Sequence, residues 1–406
     1  MEGVAPAPVP GELRRLRYSG AIDADGHILE PPDLWERYLE ERYRPRAVRI
    51  VRDRSGRECL EIGGRPSKFM YGERLASVSV MGARRGENIA SAKRSYGSNV
   101  PFGAMDPRER LERIEAEGLS AAFLYPTLSL FYETECTDAD LAQALTRAYN
   151  RWIVDFCSES KGRLIPVAHL SLGEPAAAAR ELERAVKDGC KGGWVAQFVM
   201  TRKPHAHPDH DILFAAAQDL DVPLGIHPTF EPTWALPGRY DYARFLRGRR
   251  YFLNVTAADA VRHAFTSFFD YGVFDKFPRL KLVLLEAGAG WISYWLDRLD
   301  AVYGSIIGSA VPLREKPSHY FRRSCWVSAD PDERALPAMV ELCGADKFFW
   351  ASDFPHPDHV GNYIEEVEEM AGKLAEPARS MVLGDNVAKV YRCPPPQRTP
   401  AEQGSR

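Results

Sequence analysis

Five places in the chain carry side chains that can grip a divalent cation, and each sits at the end of a short apolar run. Asp25-Gly26-His27 closes the run 21–25, with Glu30 three residues on. His169 follows the run 164–168, His227 closes 223–227, Glu286 closes 281–286, and Asp353 follows 348–352 with His356 just beyond. On an extended strand alternate residues share a face, so Asp25 and His27 point to one side and reach one ion together. His227 and Asp353 come from distant runs and can close the coordination sphere. Carboxylate and imidazole are donors for Zn, Mn and Fe. A cation so held makes hydroxide available near neutral pH or chelates a substrate carboxylate. A neighbouring carboxylate or imidazole then moves the proton. Asp25, His27, His227, Asp353 and Glu286 are the expected ligands, and Asp353, Glu286 and His169 the expected catalytic groups. Glu30 and His356 are expected to support the first ion or help hold a second.

These residues need a scaffold that brings strand ends together. Eight short β-branched or apolar runs (21–25, 121–125, 164–168, 193–197, 223–227, 281–286, 325–328 and 348–352) alternate with helical patterns at 106–117, 138–161, 175–188, 209–220, 291–302 and 333–342. Several of these helices open with Asp or Pro, and Gly118, Gly189 and Gly344 fall where helices should stop. The alternation predicts an α/β fold, a (β/α)8 TIM barrel, in which C-terminal strand ends face the active site. A doubly wound open sheet is the alternative. It favours a Gly-rich turn after the first strand, whereas Gly26-His27-Ile28-Leu29-Glu30 holds one glycine.

The domain reading is a flexible N-terminal tail at 1–19, a barrel at 20–392 with a cap inserted at 42–100, and a disordered Pro-rich C-terminal tail at 393–406. Residues 42–94 carry fourteen Lys and Arg against five Asp and Glu. Long insertions in compact domains are often lids or binding loops. The cap is expected to draw an anionic small molecule, a carboxylate or an acyl thioester, with Arg65 and Lys68 as substrate contacts.

Composition narrows the function classes. The chain has 406 residues, 45% hydrophobic and 27% charged, with a net charge of −3. That balance excludes disorder and does not indicate a nucleic-acid binder. No apolar run reaches the ~18 residues of a membrane span. Seven widely spaced cysteines without a Cys-x-x-Cys fit a reducing cytoplasm. The aromatic stretch 291–299 could form a homodimer face.

Several segments together resemble the decarboxylase-like branch of the amidohydrolase superfamily, which includes aminocarboxymuconate semialdehyde decarboxylase and resorcylate-type decarboxylases. They are Ile22-Asp23-Ala24-Asp25-Gly26-His27-Ile28-Leu29-Glu30, the helix Asp106…Arg110-Leu111…Glu117-Gly118 leading to Leu124-Tyr125-Pro126-Thr127, Gly225-Ile226-His227-Pro228, Phe277-Pro278-Arg279-Leu280-Lys281, Glu286-Ala287-Gly288-Ala289-Gly290-Trp291, Ala351-Ser352-Asp353-Phe354-Pro355 and Gly384-Asp385-Asn386. The resemblance covers about residues 20–392. It implies a metal-dependent barrel with Asp25 and His27 as the first-strand pair, His227 from the fifth strand and Asp353 from the last. Many members carry His-x-His on strand one and a histidine after strand six; here Asp25 and Glu286 stand there. Three carboxylates in one pocket shift the metal preference from Zn toward Mn or Fe and leave room for one or two ions.

The expected function is a divalent-metal enzyme acting on a small carboxylate or carbonyl compound by hydrolysis or non-oxidative decarboxylation. The alternative is a non-heme diiron monooxygenase hydroxylating an acyl or acyl-CoA substrate in natural-product biosynthesis on the same barrel. A non-catalytic binding protein is the third reading. The cluster His205-Ala206-His207-Pro208-Asp209-His210-Asp211 is read as a helix start, with Asp209 as its cap and solvated histidines. Gly288-Ala289-Gly290 lacks the third glycine of a dinucleotide fingerprint, since Ser293 stands there.

Overall fold

The computed structural model describes residues 13–78, 80–81, 95–97, 100–357 and 363–396. The cap cations Arg84, Arg85, Lys93 and Arg94, and the tail residues 1–12 and 397–406, lie outside the described residues. Strand β1 (Ile22–Ile28) is followed by three strands of the insertion, β2 (Arg49–Arg52), β3 (Glu58–Ile62) and β4 (Arg65–Tyr71). The rest are β5 (Ala121–Pro126), β6 (Leu164–Pro166), β7 (Ala168–His169), β8 (Gly193–Ala196), β9 (Pro223–His227), β10 (Lys281–Leu284), β11 (Cys325–Ala329) and β12 (Phe348–Trp350).

β1 pairs in parallel with β5, and β5 with β6. β6 and β7 are one expected strand interrupted at Val167. From β7 the parallel ladder runs through β8, β9, β10 and β11 to β12. The ring closes where Asp353 N donates to the Asp25 carbonyl (3.0 Å) and His27 N to the Phe354 carbonyl (2.7 Å). Counting β6 and β7 as one, eight parallel strands form the expected barrel. Their residues are buried on both faces, as β1, β5 and β9 show along their whole length.

The helices start and stop where local chemistry dictates. Asp106 accepts from Arg108 N (2.8 Å) and Glu109 N (3.1 Å) and so caps the helix Pro107–Ala116. Gly189, at φ 133°, ends the helix Pro175–Asp188 in a conformation closed to most side chains. Between β9 and β10 the structure adds helices Pro237–Ala243, Arg249–Val255 and Ala258–Asp270, which the sequence patterns did not indicate. None of the three has a side-chain cap. The expected Asp209 cap is also corrected: His207 accepts from Asp209 N, and His205 and His210 are buried rather than solvated.

The insertion's described part is an antiparallel sheet, β2-β3-β4. Its charge excess is partly cancelled there. Arg46 pairs with Asp138, Arg49 with Glu36, Arg52 with Glu58 and Arg57 with Asp53. No helix among the described residues is long and apolar enough to cross a membrane.

Candidate metal centre and active site

Asp25 and His27 project from β1 into the barrel, and both are buried. His27 Nδ1 donates to the Pro126 carbonyl at 2.6 Å, and His227 Nδ1 donates to the Pro228 carbonyl at 2.6 Å. Each bond fixes the tautomer and leaves Nε2 with its lone pair free to bind a cation. His27 Nε2 lies 3.2 Å from Asp353 Oδ1 and 3.7 Å from Asp25 Oδ1. His227 Nε2 lies 3.7 Å from the same Asp25 oxygen. Such separations suit neighbouring donors on a cation with bonds of ~2.1 Å.

Asp25 Oδ1, His27 Nε2 and His227 Nε2 are buried without a hydrogen-bond partner among the described residues. An unsatisfied buried polar atom costs ~1–3 kcal/mol, and three at one point are hard to sustain without a cation. Burial also pushes His27 well below the usual imidazole value, with His356 and His227 adding to the effect. The ring is therefore neutral, the state a ligand requires. The residues fit a divalent metal.

The remaining expected residues divide. Glu286 lies two residues beyond the end of β10, with Oε2 3.3 Å from His227 Nε2 and its side chain 24% exposed. His356 donates from Nδ1 to Asp353 Oδ1 (2.8 Å) and accepts from Thr127 Oγ1 at Nε2 (2.9 Å), its ring 4.0 Å from that of His27. His27, Asp353 and His356 form a second cluster with metal-ligand spacing. Both Glu286 (φ 41°) and Asp353 (φ 52°) hold left-handed backbone, strain typical of functional positions.

Glu30 is turned away from this cluster. Its two oxygens accept from the backbone N–H groups of Thr127 (3.1 Å), Leu128 (2.7 Å) and Ser129 (2.9 Å), so its lone pairs hold the loop after β5 and are not available to an ion. His169 is fully buried and stacks on Trp194 at 4.0 Å. Its Nε2 donates to Glu133 (2.7 Å) and its Nδ1 accepts from Tyr132 O–H (2.7 Å). Both ring nitrogens are engaged, and it does not line the cavity described next. Arg65 is exposed at the start of β4 and is absent from the cavity wall, whereas Lys68 lies on it.

That cavity measures about 1020 Å³ and opens above the cluster. Its buried end holds Asp353 and His356, beside the partly exposed Glu286. Sequence reasoning missed the groups that brace this floor. Asp23 accepts from Ser352 N (2.9 Å) and Ser352 Oγ (2.6 Å), fixing the turn that carries Asp353. Arg110 donates to the His27 carbonyl at 3.0 Å. A Cβ on Gly26 would stand 2.5 Å from Asp23 Oδ2 and 2.7 Å from Arg110 Nη2, so only glycine fits between them. The Asp-x-Asp-Gly-His string held that signal. The contact with Arg110, from a helix 83 residues on, was not visible in it.

The sequence model of the amidohydrolase family matches residues 112–393. A gamma-resorcylate decarboxylase from Polaromonas is 28% identical over 268 residues, covering 63% of this chain and 78% of that protein. An amidohydrolase from Mycobacterium avium subsp. paratuberculosis has the same fold at a TM-score of 0.77 and 22% identity, over 93% of this chain and 100% of that one. A dihydroxybenzoic acid decarboxylase from Polaromonas, solved with manganese and the inhibitor 2-nitroresorcinol, aligns at a TM-score of 0.62 and 18% identity, over 92% and 97% of the two chains.

Proposed function

The chain belongs to the amidohydrolase family, and on that premise we propose that it is a divalent-metal-dependent lyase that decarboxylates a small carboxylate without an oxidant. The observation that carries this reading is the meeting of Asp25, His27, His227 and Asp353 beneath the cavity that Asp353 lines, with Asp25 Oδ1, His27 Nε2 and His227 Nε2 buried and without a hydrogen-bond partner among the described residues. The named relatives are decarboxylases or amidohydrolases, and none supports the diiron oxygenase alternative.

Asp25, His27, His227 and Asp353 would hold the cation, Mn being the one bound by the Polaromonas structure. When bound, it supplies positive charge that anchors a substrate carboxylate and spreads developing negative charge. The chain's own residues do the rest. His27 and His227 are locked by their Nδ1 bonds, so their Nε2 atoms hold position. Loss of carbon dioxide leaves an electron pair on carbon that must take a proton. Glu286 lines the cavity beside His227 and moves that proton at its carboxyl oxygen, with Asp353 as the second carboxylate. His356 and Thr127 hold Asp353 in place. His169 acts as a positioning residue, its stack on Trp194 backing the His227 ring at 5.6 Å.

The partner is a small anion, a free acid or an acyl thioester. Pairing of two copies across the helix Ile292–Tyr303, which exposes Tyr294, belongs to the same reading. Cysteines that are all free fit residence in the cytoplasm. The test is release of labelled carbon dioxide from carboxyl-labelled 2,6-dihydroxybenzoate and related hydroxybenzoates by Mn-loaded protein, with and without oxygen. Oxygen-independent release that His227→Ala abolishes supports the reading. Oxygen-dependent product formation would overturn it.

A further inference from the structure

We propose that the substrate is two-ended: its reacting carboxylate sits at the buried floor, and a second anionic group, carried on an apolar spacer, is held at the cavity's open lip by Lys68, Arg74, Arg249 and Arg250. This rests on the reading above for the buried end only.

Size is the first observation. Small-molecule sites span about 300–1,000 Å³, and this cavity, at about 1020 Å³, lies at the top of that range. A single-ring acid would leave most of it to water. Charge is the second. Lys68, Arg74, Arg249 and Arg250 all line the cavity, and none has a carboxylate partner among the described residues. That contrasts with their surroundings. Arg239, in the same wall, is paired with Glu231, and Arg46, Arg49, Arg52 and Arg57 of the insertion are paired as well. Of the cations that line the cavity, Arg239 is paired, and Lys68, Arg74, Arg249 and Arg250 have no carboxylate partner among the described residues.

Placement is the third. Arg249 and Arg250 open the helix Arg249–Val255, the end at which the backbone dipole disfavours positive charge. Their position therefore does nothing for the helix. Lys68, Arg249 and Arg250 are exposed, while Asp353 and His356 at the other end are buried. The lining also carries apolar side chains, with Met70 and Phe131 buried and Leu253 partly exposed, beside the acidic Asp330 and Asp332. A buried polar end, apolar lining and exposed cations match a molecule with a reacting carboxylate, an apolar spacer and a second anionic group. Arginine forks suit phosphate and carboxylate alike.

The test is titration calorimetry on the full-length, Mn-loaded protein with four probes. They are 2-nitroresorcinol, the same ring carrying a hexyl phosphate tail, hexyl phosphate alone and heptanoate alone. The tailed ring is expected to bind about ten-fold tighter than the bare ring, the increment of one good charged contact. In Arg249→Glu/Arg250→Glu, and separately in Lys68→Glu, that ratio is expected to fall toward one. A stronger response to hexyl phosphate than to heptanoate identifies the second group as phosphate, and the reverse as carboxylate. No gain from the tail, or a gain that survives both charge reversals, overturns the proposal. If the bare ring fails to bind while an alkyl anion binds in an Arg249/Arg250-dependent way, the lip stands and the decarboxylase reading falls.

Discussion

Glu286 Oε2 stands 3.3 Å from His227 Nε2, a cavity-lining carboxylate against a nitrogen that no hydrogen bond among the described residues claims. The pair joins the strand ends of β9 and β10 and sets the proposed proton-moving group beside the proposed metal donors. Glu286→Gln keeps the shape and removes the titrating oxygen. It is expected to lower kcat by ~10²–10⁴-fold while bound Mn, measured by mass spectrometry, stays at the wild-type ratio. Loss of the metal along with activity would make Glu286 a ligand instead.

Gly26 has no space for a side chain between Asp23 and Arg110. Gly26→Ala is expected to cost ~1–3 kcal/mol, as overpacking does, read as a lower denaturation midpoint. Because His27 is the next residue and Asp23 holds the turn before Asp353, Mn affinity should fall with it. A variant of unchanged stability and affinity would show that Asp23 and Arg110 do not brace the floor.

His169 and Glu133 form a buried pair at 2.7 Å. Removing one partner of such a pair costs ~3–5 kcal/mol. His169→Ala is therefore expected to lower stability steeply, whereas Glu133→Gln, which still offers an acceptor, should do so less. Both should retain Mn. A His169→Ala protein that is fully stable but inactive would restore the catalytic role expected from sequence.

Glu231 is buried at 1% exposure beside Arg239, and burial lifts it to about 7 despite the arginine. An acid with a raised folded value keeps its proton in the folded state while the unfolded chain has lost it. Its contribution to stability is fully present below the usual glutamate value and is lost as pH rises through about 7. Wild-type stability relative to Glu231→Gln should thus decline across that window, by at most ~1.4 kcal/mol per pH unit. Chemical denaturation of both proteins across this range measures it; a flat difference would contradict the burial effect.

The barrel and the side chains that meet at its floor were legible because strand ends in such a fold share one face. Asp25, His27, His227 and Asp353 needed only their place after apolar runs. Glu30 and His169 had the right chemistry and the wrong direction. What claims them, the N–H groups of Thr127 to Ser129 and the side chain of Glu133, lies on another strand's loop and helix, with no periodic signal. Arg65 and Lys68 were equivalent as charges, and only the fold of β4 puts Lys68 on the cavity. Arg249 and Arg250 went unread because their uncapped helix showed no pattern.

The central claim is that four side chains from β1, the end of β9 and the turn after β12 hold one divalent cation. Crystals grown with manganese and measured at its absorption edge test it directly. The expected result is an anomalous peak within ~2.3 Å of donor atoms from Asp25, His27, His227 and Asp353. A well-ordered cavity without a peak there, or a peak bound by other residues, would contradict the account.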